Sequence, residues 1–316
     1  MNATDTLDLS VIIVSWNVRD FLAACLDSIR ANTGDLALEV LVVDSASSDG
    51  TLDMLRTRYN WVKALPQSEN IGFTRSNNIG LEAAKGRALM LLNPDTEIIG
   101  DALVQMVRYL EAHADVGIVG PHTLNSDGTT QSTRRRFPTL MTALFESTWL
   151  ERFAPRRVLD RYYVREISDD ATADVDWVQG SALMVRRDVV EQIGHLDAQY
   201  VMFSEEMDWC KRAHDKGWRV VYIGSATIIH HGGKSTDQVA ASKHIYFQQS
   251  KLRYFSKFHG PLAALALRVY LVILYTQQLA VEALKGLFGH KRPLRRERVG
   301  TYWQVIRALA MPGSHR

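Results

Sequence analysis

RALMLLNPDTEI (residues 87–98) is the stretch on which the reading of this chain turns. Its first half, RALMLLN, is an apolar run of strand length, and it stops at Asn93-Pro94, a dipeptide that favours a turn. Two acids, Asp95 and Glu97, follow at once. Alone, NPDTE also fits a proline turn with an Asp capping a helix. The neighbours on both sides decide which reading fits the chain.

Upstream, LSVIIVS (9–15) and EVLVVD (39–44) are apolar, largely β-branched runs bounded by polar residues, as buried strands are. Residues 19–31 between them carry Phe21, Leu22, Cys25, Leu26 and Ile29 at helical spacing. SSDGTLDMLRTR then opens a helix at a Ser or Asp cap, and NIGFTRSNNIGLEAAKG (70–86) is a loop running into another. Downstream, a helix near 100–112 precedes a short strand, VGIVG (116–120). Strands alternating with helices imply parallel pairing through right-handed crossovers, hence a doubly wound sheet covered on both faces. Ligands bind such sheets at the carboxyl ends of the strands. Ser15-Trp16-Asn17, Asp44 and Asn93-Pro94-Asp95 all follow strand ends and are expected to share one crevice.

The alternation lapses after residue 121. Residues 122–137 (HTLNSDGTTQSTRRRF) read as a mobile loop, and 138–165 as a helical insertion. Strand-like runs return around Gly180 in DVDWVQGSALMVRR (174–187) and in RVVYI (219–223), with a helix at 188–193 between them. At 316 residues, 46% hydrophobic and 23% charged, the chain has the composition of a folded α/β protein. Its net charge of +2 gives no global field for nucleic acid. Basic residues gather locally in Arg134-Arg135-Arg136, between Arg152 and Arg165, and in HKRPLRRER (290–298), which suits either phosphate or anionic-membrane contact or a solvated face. Cys25 and Cys210 lie far apart and form no CxxC pair, so a reducing cytosol is expected. MNATDTLDLS has neither a basic nor an apolar signal region, and no export signal is expected from it.

Three groups carry candidate chemistry. Asp95, just past a buried strand, suits a hard divalent cation, which takes one or two carboxylates plus substrate phosphates. In FSEEMDWC (203–210) three carboxylates fall within four residues, so burial would raise at least one pKa towards that of a general base. On a helix Glu205 and Asp208 share a face while Glu206 points away; an acidic first helical turn would also account for the cluster. Third, His230-His231 precedes Gly232-Gly233. Neutral imidazole is a good Mn²⁺ ligand, and glycine lets backbone approach a phosphate closely.

Together SVIIVSWNVRDFLAACLDSIRANT, VLVVDSASSDGT, ENIGFTRSNNIG, MLLNPDTEI, QGSALMVRRDVVEQIGHLDAQYVMFSEEMDWCKRAHDKGW and IIHHGGKS resemble, in order, the family-two glycosyltransferases of GT-A fold. The match spans residues 9–235, and ENIGFTRSNN with LLNPDTEI looks most like the bacterial rhamnosyltransferase branch. The resemblance implies an α/β, Rossmann-like doubly wound mixed sheet with a C-terminal amphipathic helical extension. It implies that Ser15, Asn17 and Asp44 meet the nucleoside of a nucleotide-sugar donor, and that Asn70, Gly72, Arg75 and Asn78 lie near its diphosphate and sugar. The family's Asp-x-Asp metal motif is met by Asn93-Pro94-Asp95, leaving Asp95 as the main ligand of Mg²⁺ or Mn²⁺ beside Asn93. His230 matches the late metal-binding His, with His231 as alternative. The family's catalytic acid pair becomes Glu205-Glu206, with Glu206 the first choice for the base.

Residues 1–240 are thus expected to form the transferase domain, with a nucleotide-sugar half to about 120 and an acceptor half beyond it. Residues 241–316 are expected to be helical and basic. PLAALALRVYLVILYTQQLAVEAL (261–284) is interrupted by Arg268, and its longest uncharged run falls short of the ~20 apolar residues a spanning helix needs. With the basic tail it reads as an amphipathic helix lying on an anionic membrane. By resemblance the donor is dTDP-L-rhamnose and the acceptor a glycan or polyprenyl-diphosphate-linked saccharide, met by a cytoplasmic enzyme peripheral to the inner face of a bacterial plasma membrane. Two other classes compete: a nucleotidyltransferase, whose Gly-rich phosphate loop is missing from VSWNVRD, and a catalytically silent sugar-nucleotide binding module, which would not need the acids at 205–208.

Overall fold

In the computed structural model of the chain, which describes residues 7–146, 148–232, 240–289 and 291–311, the β-branched runs become the interior of one mixed sheet. The Gly233–Ser235 end of the IIHHGGKS segment and His290 of the basic tail lie outside the described residues. The described chain divides into two compact units. The first holds the residues up to Phe137, Pro155–Val201 and 205–232; the second holds Pro138–Ala154, Met202–Ser204 and 240–311.

The first unit opens with β1 (Leu9–Ser15), α1 (Arg19–Ala31), β2 (Leu38–Asp44), α2 (Thr51–Arg58), β3 (Lys63–Pro66), α3 (Phe73–Ala83) and β4 (Ala88–Leu92). β3, β2, β1 and β4 pair parallel in that order, as the alternation predicts. β3 is short, mostly exposed and ends in proline, so it carries no apolar signal; it closes one edge of the sheet. α1 packs Leu22, Cys25, Leu26 and Ile29 beneath β1 and β2. α3 sits close on β1 because Gly80 has no side chain: a Cβ there would stand 2.3 Å from Ile12 Cγ2.

β5 (Thr96–Ile98), α4 (Ala102–Ala112) and β6 (Val116–Leu124) follow. Here the structure departs from the expected mobile loop at 122–137. β6 runs on to Leu124 and turns into β7 (Thr130–Gln131), and β8 (Arg134–Arg135) comes next. Thr123, Thr133, Arg134 and Arg135 are buried. Polar composition concealed this burial, because each arginine finds partners inside. Arg134 donates to the Ile167 carbonyl, pairs with Asp169 at 2.8 Å and lies over the Tyr222 ring; Arg135 donates to Ser132 Oγ and lies over Tyr163. These two arginines are therefore not a solvated basic face.

In the second unit lie α5 (Leu140–Phe145) and a 3₁₀ turn at Trp149–Phe153. The first unit resumes with α6 (Arg156–Tyr162), β9 (Ala173–Val175), β10 (Trp177–Val178), β11 (Ala182–Arg186), α7 (Arg187–Ile193), α8 (Glu205–Asp215) and β12 (Arg219–His230). β11 enters antiparallel between β4 and β6, which makes the sheet mixed, while β12 runs parallel to β6 and antiparallel to β5. β12 extends well past the expected RVVYI and carries His230 at its end.

The second unit continues with α9 (Ala240–His259), α10 (Pro261–Leu287) and α11 (Arg292–Ala310). α5 is tied to these helices by Lys251, whose ammonium lies 2.6 Å from Glu146 Oε2, and by Tyr270, which donates to the Leu144 carbonyl. α10 is long and apolar enough to cross a bilayer by length and composition alone. It buries Ala264, Leu267, Leu271 and Leu274 within the unit, while Leu262, Leu265, Val269 and Ile273 are exposed.

Candidate active site

The sheet register brings the strand-end residues together. Ser15 pairs with Asp44, Ile13 with Leu92, and Leu92 with Ala182, so Asn93 stands one step past β4 with its amide donating to the Ser181 carbonyl at 2.9 Å. Asp44, Ser15, Asn93 and Ser181 thus form a row across β2, β1, β4 and β11 at their shared edge. Each has an enclosed polar atom with no partner among the described residues: Asp44 Oδ1, Ser15 Oγ, Asn93 Oδ1 and Ser181 Oγ. An unsatisfied buried polar group costs about 1–3 kcal/mol, so four in a line mark a surface built for a polar ligand. Ser181 does not stand out in the sequence. Its signal is weak, a small polar residue after Gly180 in a strand-like run.

Around Asp44 the loops are cross-braced. Asn17, left-handed with φ 51°, accepts from the Ser48 amide at 2.8 Å and donates its own amide to Ser47 Oγ. Asp44 Oδ2 accepts from the Ser47 amide. Asn70 Oδ1 accepts from the Gly72 amide at 3.1 Å, and Gly72 adopts φ 91°, a conformation that suits glycine. Arg75 is exposed in the first turn of α3. Asn78 serves the scaffold: its side-chain amide donates to the Leu196 carbonyl and accepts from the Leu196 amide, clamping the segment after α7.

Asp95 is buried after β4, and β12 brings His230 beside it, with Nε2 3.4 Å from Asp95 Oδ1 and 3.3 Å from Asn93 Nδ2. Register explains the meeting, since His230 pairs with Thr96. Among the described residues no cluster of three or more His, Cys, Asp or Glu is arranged to hold a metal. Two strong donors and the unsatisfied Asn93 oxygen fit an ion that takes the rest of its shell from diphosphate and water. His231 is committed elsewhere: Nε2 lies 2.7 Å from Glu97 and Nδ1 2.7 Å from Ser126 Oγ.

The acids at the start of α8 divide by environment. Asp208 is fully buried, receives Arg212 Nε at 2.7 Å and the Tyr200 hydroxyl, and braces the fold: Arg212 also donates to the His195 carbonyl. Glu205 is buried with Oε2 unpartnered, and burial first and the Glu206 charge second hold its carboxyl well above the usual range. Glu206 is half-buried and packs against Gly180. Burial raises its pKa too, opposed by backbone amides at Glu206, Gly180 and Met207 and then by the Arg135 charge. Phe203 and Ser204 ahead of α8 are both left-handed, a strained entry to the helix.

The mixed, half-parallel sheet thus carries a polar crevice at its carboxyl edge with a raised carboxyl pair beside it, the arrangement of an enzyme's active site. The sequence profile described as "Glycosyl transferase family 2" matches residues 10–194, more than half the chain, and the chain belongs to that family. It is similar to the N-acetylglucosaminyl-diphospho-decaprenol L-rhamnosyltransferase of Mycobacterium tuberculosis, 29% identical over 245 residues, 74% of this chain and 79% of that one. Rhamnosyltransferase WbbL of Escherichia coli is 23% identical over 269 residues, covering 78% of this chain and 92% of its own. Among solved structures, the mannosyltransferase PcManGT from Pyrobaculum calidifontis, in complex with GDP-Man and Mn²⁺, superposes with a TM-score of 0.56 at 18% identity, covering 97% of this chain and 87% of its own. The protein is a rhamnosyltransferase-like glycosyltransferase of GT-A fold with C-terminal helices.

Proposed function

We propose that the protein transfers L-rhamnose from dTDP-L-rhamnose, with inversion and with Mg²⁺ or Mn²⁺, to a hydroxyl of a glycan or polyprenyl-diphosphate-linked saccharide. The observation that carries this reading is the row of unpartnered buried polar atoms at the sheet edge, ending beside a half-buried Glu206. The activity named for the mycobacterial relative supports the sugar and the lipid-linked acceptor, and the Mn²⁺ of the mannosyltransferase structure supports the cation.

In this reading Ser15, Asn17 and Asp44 receive the nucleoside, while Asn70, Gly72 and Arg75 border its diphosphate and sugar and Asn78 braces that side of the crevice through Leu196. Asp95 and His230, with Asn93, would hold the cation, which supplies charge neutralisation for the departing diphosphate. Glu206 takes the proton from the acceptor hydroxyl as the new bond forms to the anomeric carbon. The anomeric carbon–phosphate oxygen bond breaks, and its electron pair leaves with the nucleoside diphosphate. Glu206 suits this better than Glu205 because it is the less buried of the two residues and lies against Gly180, next to Ser181 of the polar row, and burial holds its basicity above that of an ordinary carboxylate. Glu205 is the alternative base.

The proposed setting is the cytoplasmic face of a bacterial plasma membrane, with α10 as the peripheral contact. Release of nucleoside diphosphate from dTDP-rhamnose, UDP-sugars and GDP-sugars, with Mn²⁺ or Mg²⁺ and with or without a membrane extract, tests the reading. Release from dTDP-rhamnose that depends on cation and extract is expected. A preference for another donor overturns the sugar assignment, and binding without release overturns the transferase mechanism.

A further inference from the structure

We propose that the Asn125–Gln131 hairpin sets the ring tautomer of His230, keeping the proton on Nδ1 so that the Nε2 lone pair faces Asp95. β6, β7 and β12 bring the partners together: Thr123 pairs with Gln131 across β6 and β7 and with Ile228 across β6 and β12, and His230 lies two residues beyond Ile228 on the same face.

The hydrogen bonds run in one direction only. Asp127 Oδ1 accepts from Thr129 Oγ1 at 2.6 Å and from the Thr129 amide at 3.0 Å. These bonds hold the Asp127 carboxyl below its usual range, so it is an acceptor at neutral pH. The Thr129 hydroxyl has spent its one proton on Asp127 and must accept from Asn125 Nδ2, at 3.0 Å. That fixes the Asn125 amide, whose Oδ1 accepts from Gln131 Nε2 at 2.9 Å. Gln131 Oε1 is then the atom facing His230 Nδ1, at 2.7 Å, and an oxygen there can only accept. His230 Nδ1 must therefore donate.

The consequence falls on the other ring nitrogen. With Nδ1 protonated in the neutral ring, Nε2 presents a lone pair 3.4 Å from Asp95 Oδ1, and Asn93 Nδ2 at 3.3 Å is the group able to donate to it. The opposite tautomer would place an N–H on Asp95 and make a closed pair with nothing left for a cation. Gln131 is thus a positioning residue, acting on the proposed cation through His230. This inference rests on the metal reading given above for Asp95 and His230, but the tautomer itself does not.

The test is ¹⁵N-histidine NMR of the full chain at pH 8 without metal, with the His230 signal assigned from a His230→Gln variant, beside a Mn²⁺ titration of the same protein. The wild type is expected to show a protonated Nδ1 and a lone-pair Nε2. Gln131→Leu is expected to lose that preference and to bind Mn²⁺ at least about tenfold more weakly, whereas Gln131→Glu, which keeps an acceptor, retains the tautomer. Thr129→Val, farther from the ring, is expected to shift the tautomer partly, and guards against misfolding of the Gln131 variants. A wild-type His230 protonated on Nε2, or a Gln131→Leu variant with unchanged tautomer and Mn²⁺ affinity, overturns the proposal. Wild-type protein that shows the Nδ1 proton yet binds no Mn²⁺ would overturn the metal reading while upholding the relay.

Discussion

Glu205 and Glu206 are consecutive on α8 yet lie in different surroundings: Glu205 is buried, and Glu206 is half-buried against Gly180. A base must reach the hydroxyl it deprotonates, so the two substitutions should separate. Glu206→Gln is expected to lower kcat about 10²- to 10⁴-fold with donor affinity kept, and Glu205→Gln to lower it far less. Single-turnover transfer together with donor titration checks this. Equal losses in both variants, or robust transfer by Glu206→Gln, would remove Glu206 from its role.

The same pair makes stability depend on pH. Burial raises both carboxyls from an ordinary value of 4.5, so the folded protein holds protons that the unfolded chain releases. Stability from these groups is full below about 4.5 and falls as pH rises towards their folded pKa values, by about 1.4 kcal/mol for each unit of upward displacement. Glu205→Gln cannot ionise, so its unfolding free energy is expected to exceed that of the wild type at pH 8 and to converge on it near pH 4. Urea unfolding across that range measures the difference. A gap that widens towards acid would show that the Glu205 carboxyl is stabilised as the anion.

If Asp95 and His230 hold the cation, Mn²⁺ with a nucleoside diphosphate should stabilise the folded state. At a hundredfold excess over Kd the gain is about 2.7 kcal/mol, visible as a rise in Tm. Asp95→Ala is expected to keep the fold and lose the rise, and chelation of the wild type to reverse it. A thermal scan in which Asp95→Ala responds to Mn²⁺ and diphosphate like the wild type would place the cation elsewhere.

Where apolar pattern and buried geometry coincide, the sequence was readable. LSVIIVS, EVLVVD and RALMLLN became β1, β2 and β4, because continuous β-branched and aliphatic runs have few other places to go. The polar hairpin at 122–135 was not readable: Thr123, Arg134 and Arg135 are buried through partners distant in sequence, which no local pattern reveals. The six ordered motifs sufficed to identify the family, whereas the different surroundings of the acids at 205–208 needed coordinates. Part of that division was within reach, since Arg212 stands four residues after Asp208, the spacing of a helical ion pair. Ser181 and the direction of the bonds leading to His230 depend on strands joined across the sheet, and only the register exposes them.

On α10 the exposed residues Leu262, Leu265, Val269 and Ile273 follow one another at intervals of three and four, a stripe along one side of the helix. Lys285, Arg292 and Arg296 are exposed towards the other end, where a basic residue near an anionic surface is worth about 1 kcal/mol. Glu282 is buried there, pairs with Arg295 of α11 and has Arg298 3.9 Å away. A helix inserted across a bilayer would have to carry that ionised cluster with it, at high cost, whereas one lying at the surface would not. The protein is therefore expected to sediment with phosphatidylglycerol vesicles at low salt, to leave them in 1 M salt or alkaline carbonate, and to lose binding when Leu265→Glu and Ile273→Glu are combined. Extraction that requires detergent would mean that α10 spans the membrane, and undiminished binding by the double variant would mean that another surface makes the contact.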